Sequence, residues 1–229
     1  MRLLSWNVLA DSYIRASYYP RSEPALLRRG ARTAAIVEAL ANDPADVGCL
    51  QEVEPALVAA IRVRLPGWEL RFAGKRGKPD GVAMLARASA LDDVTTLELA
   101  GGFVALLATI DGLRVATTHL RWDPPGTPPD ARWAIRQARA LAAAAPDVIC
   151  GDLNVEPGDD ALALLLDAGY VDPGGTPTAN PNGRAKRIDY ILVRGRAATA
   201  LPAPPVADDT PLPSRDMPSD HVPIAATIA

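Results

Sequence analysis

Histidine occurs only twice in the 229 residues, and each copy sits in a short polar motif at the end of an apolar, strand-like run: Thr118-His119-Leu120 and Ser219-Asp220-His221. Ser5-Trp6-Asn7, Gln51-Glu52, Gly151-Asp152-Leu153-Asn154 and Arg187-Ile188-Asp189-Tyr190 share that placement. Rigid strands fix positions that loops then expose, so polar groups that close several strands of a sheet protein are expected to meet at one rim. Asn7, Glu52, His119, Asp152, Asn154, Asp189, Asp220 and His221 make up that group. Its carboxylates would repel and raise one another's pKa unless a cation neutralised them. Oxygen donors with few histidines and no thiolates favour magnesium or manganese over zinc.

The elements that must position these groups read as an alternation of strands and helices. Residues 2–8 predict a buried strand, and 23–41 a helix with Leu26, Leu27, Ala34, Ile36, Val37 and Leu40 at helical spacing, ended by Pro44. A strand over 46–51 and a helix over 55–65, stopped by Pro66-Gly67, follow. Strands are then expected over 69–73, 81–87, 94–99, 103–110 and 113–119, the last two joined by an Asp111-Gly112 hairpin turn. A helix over 130–144, a strand over 147–152, a helix over 160–168 that Gly169 can cap, and strands over 187–194 and 222–228 complete the chain. This order predicts two mixed sheets packed face to face with helices outside. The proline-rich segments 11–22, 122–129 and 202–218 flank motif strands and read as loops around the mouth of a site.

The motifs, taken together and in this order, resemble the endonuclease/exonuclease/phosphatase superfamily, the group that contains deoxyribonuclease I, exonuclease III and the inositol-polyphosphate 5-phosphatases. The resemblance runs from Leu3 to Ile228. The extended opening Asn7-Val8-Leu9-Ala10-Asp11-Ser12-Tyr13, then Tyr18-Tyr19-Pro20, Cys49-Leu50-Gln51-Glu52-Val53 and Pro79-Asp80-Gly81-Val82-Ala83, looks like the deadenylase, nocturnin and 2′-phosphodiesterase branch. What this implies is an α/β protein, a four-layer α/β/β/α sandwich of two mixed β-sheets flanked by helices. It also implies a divalent-metal-dependent phosphoesterase using Mg2+ or Mn2+.

Phosphoester hydrolysis needs an in-line water, a base for its proton, positive charge on the equatorial oxygens and help for the leaving oxygen. Glu52 is the expected metal ligand, assisted by Asn7, with Asp220 a second ligand or a member of the network. Asp152 and Asn154, two apart at a strand end, would point to one side. The resemblance gives Asp152 the proton of the water and Asn154 a phosphate oxygen. Asp189 and His221 look like a carboxylate–imidazole pair, and His119 is expected to stabilise charge on a non-bridging oxygen. Arg187, with Arg184 and Lys186 beside it, reads as a phosphate contact. Arg32 and Asp80 are further candidates, while Tyr13, Tyr18, Tyr19 and Trp122 could stack on a base. The cluster of Arg71, Lys75, Arg76 and Lys78 reads equally well as a solvated loop. No aromatic residue lies in 174–187, where the deadenylase branch carries a base-stacking ring, and this argues against poly(A) as the preferred substrate.

The chain can bury a full core, and because the motifs span both halves, one domain over residues 1–229 is expected. A net charge of −3 argues against coating long duplexes by bulk electrostatics. Cys49 and Cys150 read as free buried thiols. With a motif at the very start and no apolar run long enough to span a bilayer, a cytoplasmic protein with no membrane or obligate protein partner is expected. The expected substrate is a nucleic acid or nucleotide: single-stranded RNA or a short oligonucleotide, attacked from the 3′ end. The rivals are a phosphomonoesterase on a nucleotide or small metabolite, a DNA-repair nuclease and a catalytically dead binding module, the last disfavoured because no motif residue is lost.

Overall fold

The structure, a computed structural model, describes residues 1–87 and 91–229. Its elements in chain order are β1 (Arg2–Asn7), α1 (Thr33–Asn42), β2 (Val47–Val53), α2 (Pro55–Arg64), β3 (Glu69–Gly74), β4 (Gly81–Ala86), β5 (Asp92–Leu99), β6 (Phe103–Ile110), β7 (Leu113–His119), α3 (Trp133–Ala144), β8 (Val148–Asp152), α4 (Asp160–Asp167), β9 (Tyr170–Val171), β10 (Asp189–Arg194), β11 (Ala198–Ala200) and β12 (Ile224–Ile228). One six-stranded sheet has the order β11-β12-β1-β2-β4-β3 and the other β5-β6-β7-β8-β10-β9. Both are mixed: β1–β2 and β7–β8 are parallel and their neighbours antiparallel.

The period of two along each strand sorts side chains between layers. Leu3, Val47, Cys49, Val115, Val148, Cys150, Ile191 and Val193 fill the space between the sheets. Their neighbours face outward: Leu4, Trp6 and Leu50 pack under α1 and α2, and Ala116, Ile149, Tyr190 and Leu192 pack under α3 and α4. This is the expected four-layer α/β/β/α sandwich. Cys49 and Cys150 are free and buried between the sheets.

Two helices start later than their apolar spacing predicts. Over residues 23–32 the chain makes isolated turns, with Leu26 N–H on Glu23 O at 2.9 Å and Ala31 N–H on Arg28 O at 3.1 Å, and Gly30 sits at φ 77°. The helix begins only at Thr33. The physical reason is Arg32, which turns inward to the carbonyls of Val8, Leu9 and Pro218 and takes the preceding segment with it. The third helix begins at Trp133 because Asp123 accepts hydrogen bonds from Trp133 N–H and Ala134 N–H at 3.0 and 2.9 Å and ends the segment before it.

Candidate active site

The strands that fill the inter-sheet core carry polar residues at one end of the same inward rows. Leu3, Ser5 and Asn7 share one face of β1, Val115, Thr117 and His119 one face of β7, Val148, Cys150 and Asp152 one face of β8, and Val193, Ile191 and Asp189 one face of β10. Register then aligns the ends: His119 lies opposite Asp152, and Asp152 opposite Asp189, across three adjacent strands. One tier below, Gln51 Nε2 donates to Ser5 Oγ at 3.3 Å within its own sheet and to Thr117 Oγ1 at 3.1 Å in the other. That polar layer separates the apolar core from the site and explains the Ser of Ser-Trp-Asn and the Gln of Gln-Glu.

Glu52 reaches the site by a different device. The second strand does not end at Gln51; it continues to Val53, and its register against β4 shifts between Gln51 and Val53. Glu52 is the extra residue of this bulge, at φ 57°. Alternation alone would send it to the outer face with Leu50. The bulge turns it to Asn7, whose Nδ2 donates to Glu52 Oε1 at 3.1 Å and to Asp152 Oδ2 at 2.9 Å. Asn7 Oδ1 accepts from Leu9 N–H at 3.0 Å. Asn7 therefore bridges the two acids.

The Gly-Asp-Leu-Asn run also departs from an extended strand end. Asn154 sits at φ 54°, and its N–H donates to Asp152 Oδ1 at 2.8 Å, an Asx turn. The turn is what brings Asn154 Nδ2 to 2.9 Å from His119 Nε2. Gly151 is required by close approach, since a Cβ there would lie 1.9 Å from Thr118 O.

On the far side of Asp152, Asp189 Oδ2 lies 2.8 Å from His221 Nδ1 and accepts from Thr178 Oγ1 at 2.6 Å. Trp6 Nε1 donates to His221 O at 2.9 Å and Ser219 Oγ to Asn7 O at 2.7 Å, so the last motif is tied to the first. Burial opposes charge on His221, but the Asp189, Asp152 and Asp220 carboxylates outweigh it and hold its pKa well above the ordinary value. His119 goes the other way: burial, then the charges of Lys75, His221 and Lys78, hold it well below. The two rings therefore take opposite protonation states near neutral pH. Burial foremost, with Asp189 adding to it, pushes Asp152 up to about 7 against the opposing pull of His221. Burial and then Asp220 raise Glu52.

These donors fit a hard divalent cation. Ligand atoms of Glu52, His119 and Asp152 lie within 4.8 Å of one another, as do those of Asp152, Asp189 and His221. Both Asp189 and Asp220 keep a buried carboxylate oxygen, Oδ1, with no hydrogen-bond partner among the described residues. Asp220 stands outside both sets; its Oδ2 accepts from Tyr19 OH at 2.9 Å.

Several expected substrate contacts are structural. Arg32 is 2% exposed and donates to Val8 O, Pro218 O, Leu9 O and Asp11 Oδ1 at 3.0, 2.8, 2.5 and 2.7 Å, so it clamps the loop that follows β1 and has no face for substrate. Arg187 is held by Asp172 at 2.6 and 2.7 Å and lies over the Tyr190 ring, along a separate cavity. Tyr19 is buried with its hydroxyl on Asp220. Tyr18 and Trp122 do remain exposed, at 48% and 52%, and both line a cavity of about 740 Å3 that opens beside Asn154 and Lys186.

Lys75 is the residue sequence reasoning missed. It is buried, pairs with Asp80 at 2.5 Å, and places Nζ 3.0 Å from His119 Nδ1. Since an ammonium only donates, Nδ1 accepts from Lys75. Tyr13 donates to the other Asp80 oxygen at 2.6 Å. The available signal was a Lys and an Asp on the facing ends of β3 and β4, either side of a tight turn.

Comparison with known proteins agrees with this geometry. Residues 4–221 match the model of the Endonuclease/Exonuclease/phosphatase family. The protein named Probable RNA exonuclease C9B6.11c, from Schizosaccharomyces pombe, is 30% identical over 191 residues, 71% of this chain and 38% of that protein. The chain thus spans well under half the length of that relative. Among solved structures, ANGEL2, described as a 2′,3′-cyclic phosphatase, superposes with a TM-score of 0.80 at 19% identity, covering 99% of this chain and 94% of that one. The human Nocturnin catalytic domain superposes with a TM-score of 0.72 at 20% identity, covering 100% and 93%.

Proposed function

Because the chain belongs to the endonuclease/exonuclease/phosphatase family, whose members are hydrolytic phosphoesterases and nucleases, we propose that it is a divalent-metal-dependent phosphodiesterase, acting as one domain on single-stranded RNA or short oligonucleotides from the 3′ end. The observation that carries this reading is the placement of the two histidines on either side of Asp152, with Nε2 of His119 and of His221 3.6 and 3.8 Å from Asp152 Oδ2, within a ring of carboxylates that fits a cation. Mg2+ or Mn2+, held by Glu52 with Asp152, would supply Lewis acidity and offset the charge of the phosphate.

The residues divide the remaining work. Asp152, raised to about 7, can accept the proton of an attacking water. Protonated His221, fixed at Nδ1 by Asp189, directs Nε2–H at a phosphate oxygen. Neutral His119 stands beside Asn154 at Nε2, and Lys75 places a fixed positive charge behind that ring. The cavity with Tyr18 and Trp122 can take one or two unstacked bases, which supports a single-stranded substrate over a duplex. The names of the S. pombe relative and of ANGEL2 point to RNA exonuclease and cyclic phosphatase chemistry, respectively.

Product analysis across single-stranded RNA, duplex DNA, 2′,5′-oligoadenylate and nucleotide monophosphates tests the reading. Mononucleotides should be released from RNA 3′ ends, cease with chelator and resume with magnesium or manganese. Activity that survives exhaustive chelation refutes the metal role, and activity confined to monoesters makes the protein a phosphatase.

A further inference from the structure

The cations around the site are not distributed evenly. On the side of His119 Nε2, Arg132 is paired with Asp159 and Arg184 with Glu156, which among the described residues leaves Lys186 as the cation of the large cavity without a carboxylate partner. On the side of Nδ1, beyond buried Lys75, lies the tight turn of residues 75–80 between β3 and β4, and its two other cations, Arg76 and Lys78, have no carboxylate partner among the described residues. The undescribed positions 88–90 are Ala, Ser and Ala, so none could supply one.

This turn is held in place. Lys75 N–H donates to Asp80 O at 2.9 Å, Gly77 adopts φ 71°, and Arg76 N–H donates to Gly102 O at 2.8 Å, which docks the turn on the connection between β5 and β6. A Cβ at Gly102 would lie 2.9 Å from Arg76 O, so the docking is close. Lys78 Nζ then sits 5.0 Å from the Phe103 ring centroid, with Lys75 Nζ at 4.9 Å from the same ring. Phe103 in turn meets His119 edge to face at 6.1 Å. Lys78 is thus an exposed ammonium positioned over an aromatic ring and within electrostatic reach of a site histidine. The Arg121 guanidinium, stacked over Trp133 and 3.6 Å from where a Gly101 Cβ would stand, adds a further cation with no carboxylate partner among the described residues, beside the same connection.

We propose that Lys78, with Arg76 and Arg121 flanking it, forms a second phosphate subsite, which selects substrates that carry another phosphoryl group next to the scissile one. The inference rests on the phosphodiesterase reading for what occupies the catalytic centre, and deepens it by naming the substrate class: a nucleotide chain or bisphosphate, in preference to a monophosphate. The ring of His119 divides the substrate. Its uncharged bases lie toward the large cavity, and its next phosphate lies over the turn. The buried Lys75 is paired with Asp80, so the exposed Lys78 charge and its Arg76 and Arg121 flanks are the ones left available.

Calorimetric titration of adenosine 3′,5′-bisphosphate against adenosine 3′- and 5′-monophosphate tests this, with the full chain in an Asp152→Asn background to stop turnover. The bisphosphate should bind about tenfold more tightly than either monophosphate, the scale of one added charge-assisted contact. Lys78→Ala should collapse that ratio to below about threefold, Lys78→Arg should keep it, and Arg196→Ala, which removes an exposed charge far in sequence from the turn, should keep it as well. A ratio near one in the parent protein, or one that survives Lys78→Ala, overturns the subsite. Turnover of the 5′-phosphorylated diadenylate pApA by the unmodified protein reports on the phosphodiesterase reading by itself. Discrimination without turnover keeps the subsite and sinks that reading; turnover without discrimination does the reverse.

Discussion

With only two histidines in the chain, their opposite charging can be read directly, because imidazole NMR signals of the protein come from His119 and His221 alone. The perturbation is Asp189→Asn, which keeps the shape of the partner and removes its charge. Asp189 Oδ2 lies 2.8 Å from His221 Nδ1, where two unit charges attract by about 6 kcal/mol at an effective dielectric constant of about 20. Competing desolvation reduces the net value of a bond to a charged group to about 1.5–3 kcal/mol. At about 1.4 kcal/mol per pH unit, the His221 pKa should fall by roughly one to two units. In chelated protein, His221 should titrate above the ordinary 6.5 and drop in Asp189→Asn, while His119 stays neutral to well below 6.5. Lys75→Met should move His119 upward, because it removes the charge 3.0 Å from Nδ1. The measurement is a pH titration of the imidazole nitrogens. If His221 titrates at or below 6.5 in the parent protein, or is unmoved by Asp189→Asn, the proposed division of labour between the two rings fails.

The same electrostatics make metal binding pH-dependent. Asp152, raised from 3.8 to about 7, and Glu52, also raised, must shed protons to hold a cation. Apparent magnesium affinity should therefore strengthen as pH rises from about 5 to about 7 and level off above, with proton release on binding; calorimetry in buffers of different ionisation enthalpy checks this, and an affinity flat with pH contradicts it. Gly151→Ala should cost at least about 3 kcal/mol in urea unfolding, since its Cβ would stand 1.9 Å from a backbone oxygen, and a loss under about 1 kcal/mol would mean the strands can part there. Arg32→Ala should cost about 3–5 kcal/mol, because it strands three buried carbonyls and the Asp11 carboxylate. If the stability is kept and only substrate binding falls, Arg32 is a substrate contact after all. Trp122→Ala and Tyr18→Ala should each weaken single-stranded oligonucleotide binding by about 1–3 kcal/mol, measured by fluorescence titration, and unchanged affinity in both would remove base stacking from the cavity.

What the sequence made legible was whatever depends on neighbours along the chain. The apolar runs of β6 and β7 and the Asp111-Gly112 turn between them lie where local spacing put them, with both turn residues at positive φ. The motif residues converge as strand-end polarity implied. What was hidden depends on contacts distant in sequence. The turns over 23–32 have helical spacing yet are set by Arg32 reaching a loop 186 residues away at Pro218. Tyr18 and Tyr19 are alike in sequence, but one is exposed and the other is buried on Asp220, 201 residues on. Lys75 and Lys78 sit in one basic cluster, and only the docking of their turn decides that one is a buried partner of His119 and the other an exposed cation.

The rows that face between the sheets carry the deeper regularity. In β1, β7, β8 and β10 the inward positions begin apolar and end on Asn7, His119, Asp152 and Asp189, with Ser5, Gln51 and Thr117 hydrogen-bonded between. A side chain at the end of such a row is walled by two sheets and open to solvent on one side only, so it loses hydration while staying reachable. That placement is what raises Asp152 and neutralises His119, since burial heads the causes of both shifts. Glu52 is the exception that alternation would send outward, and a bulge with a left-handed residue corrects it. The strain of that φ, of order 1–3 kcal/mol, is the local cost of bringing one more carboxylate to the same end of the sandwich.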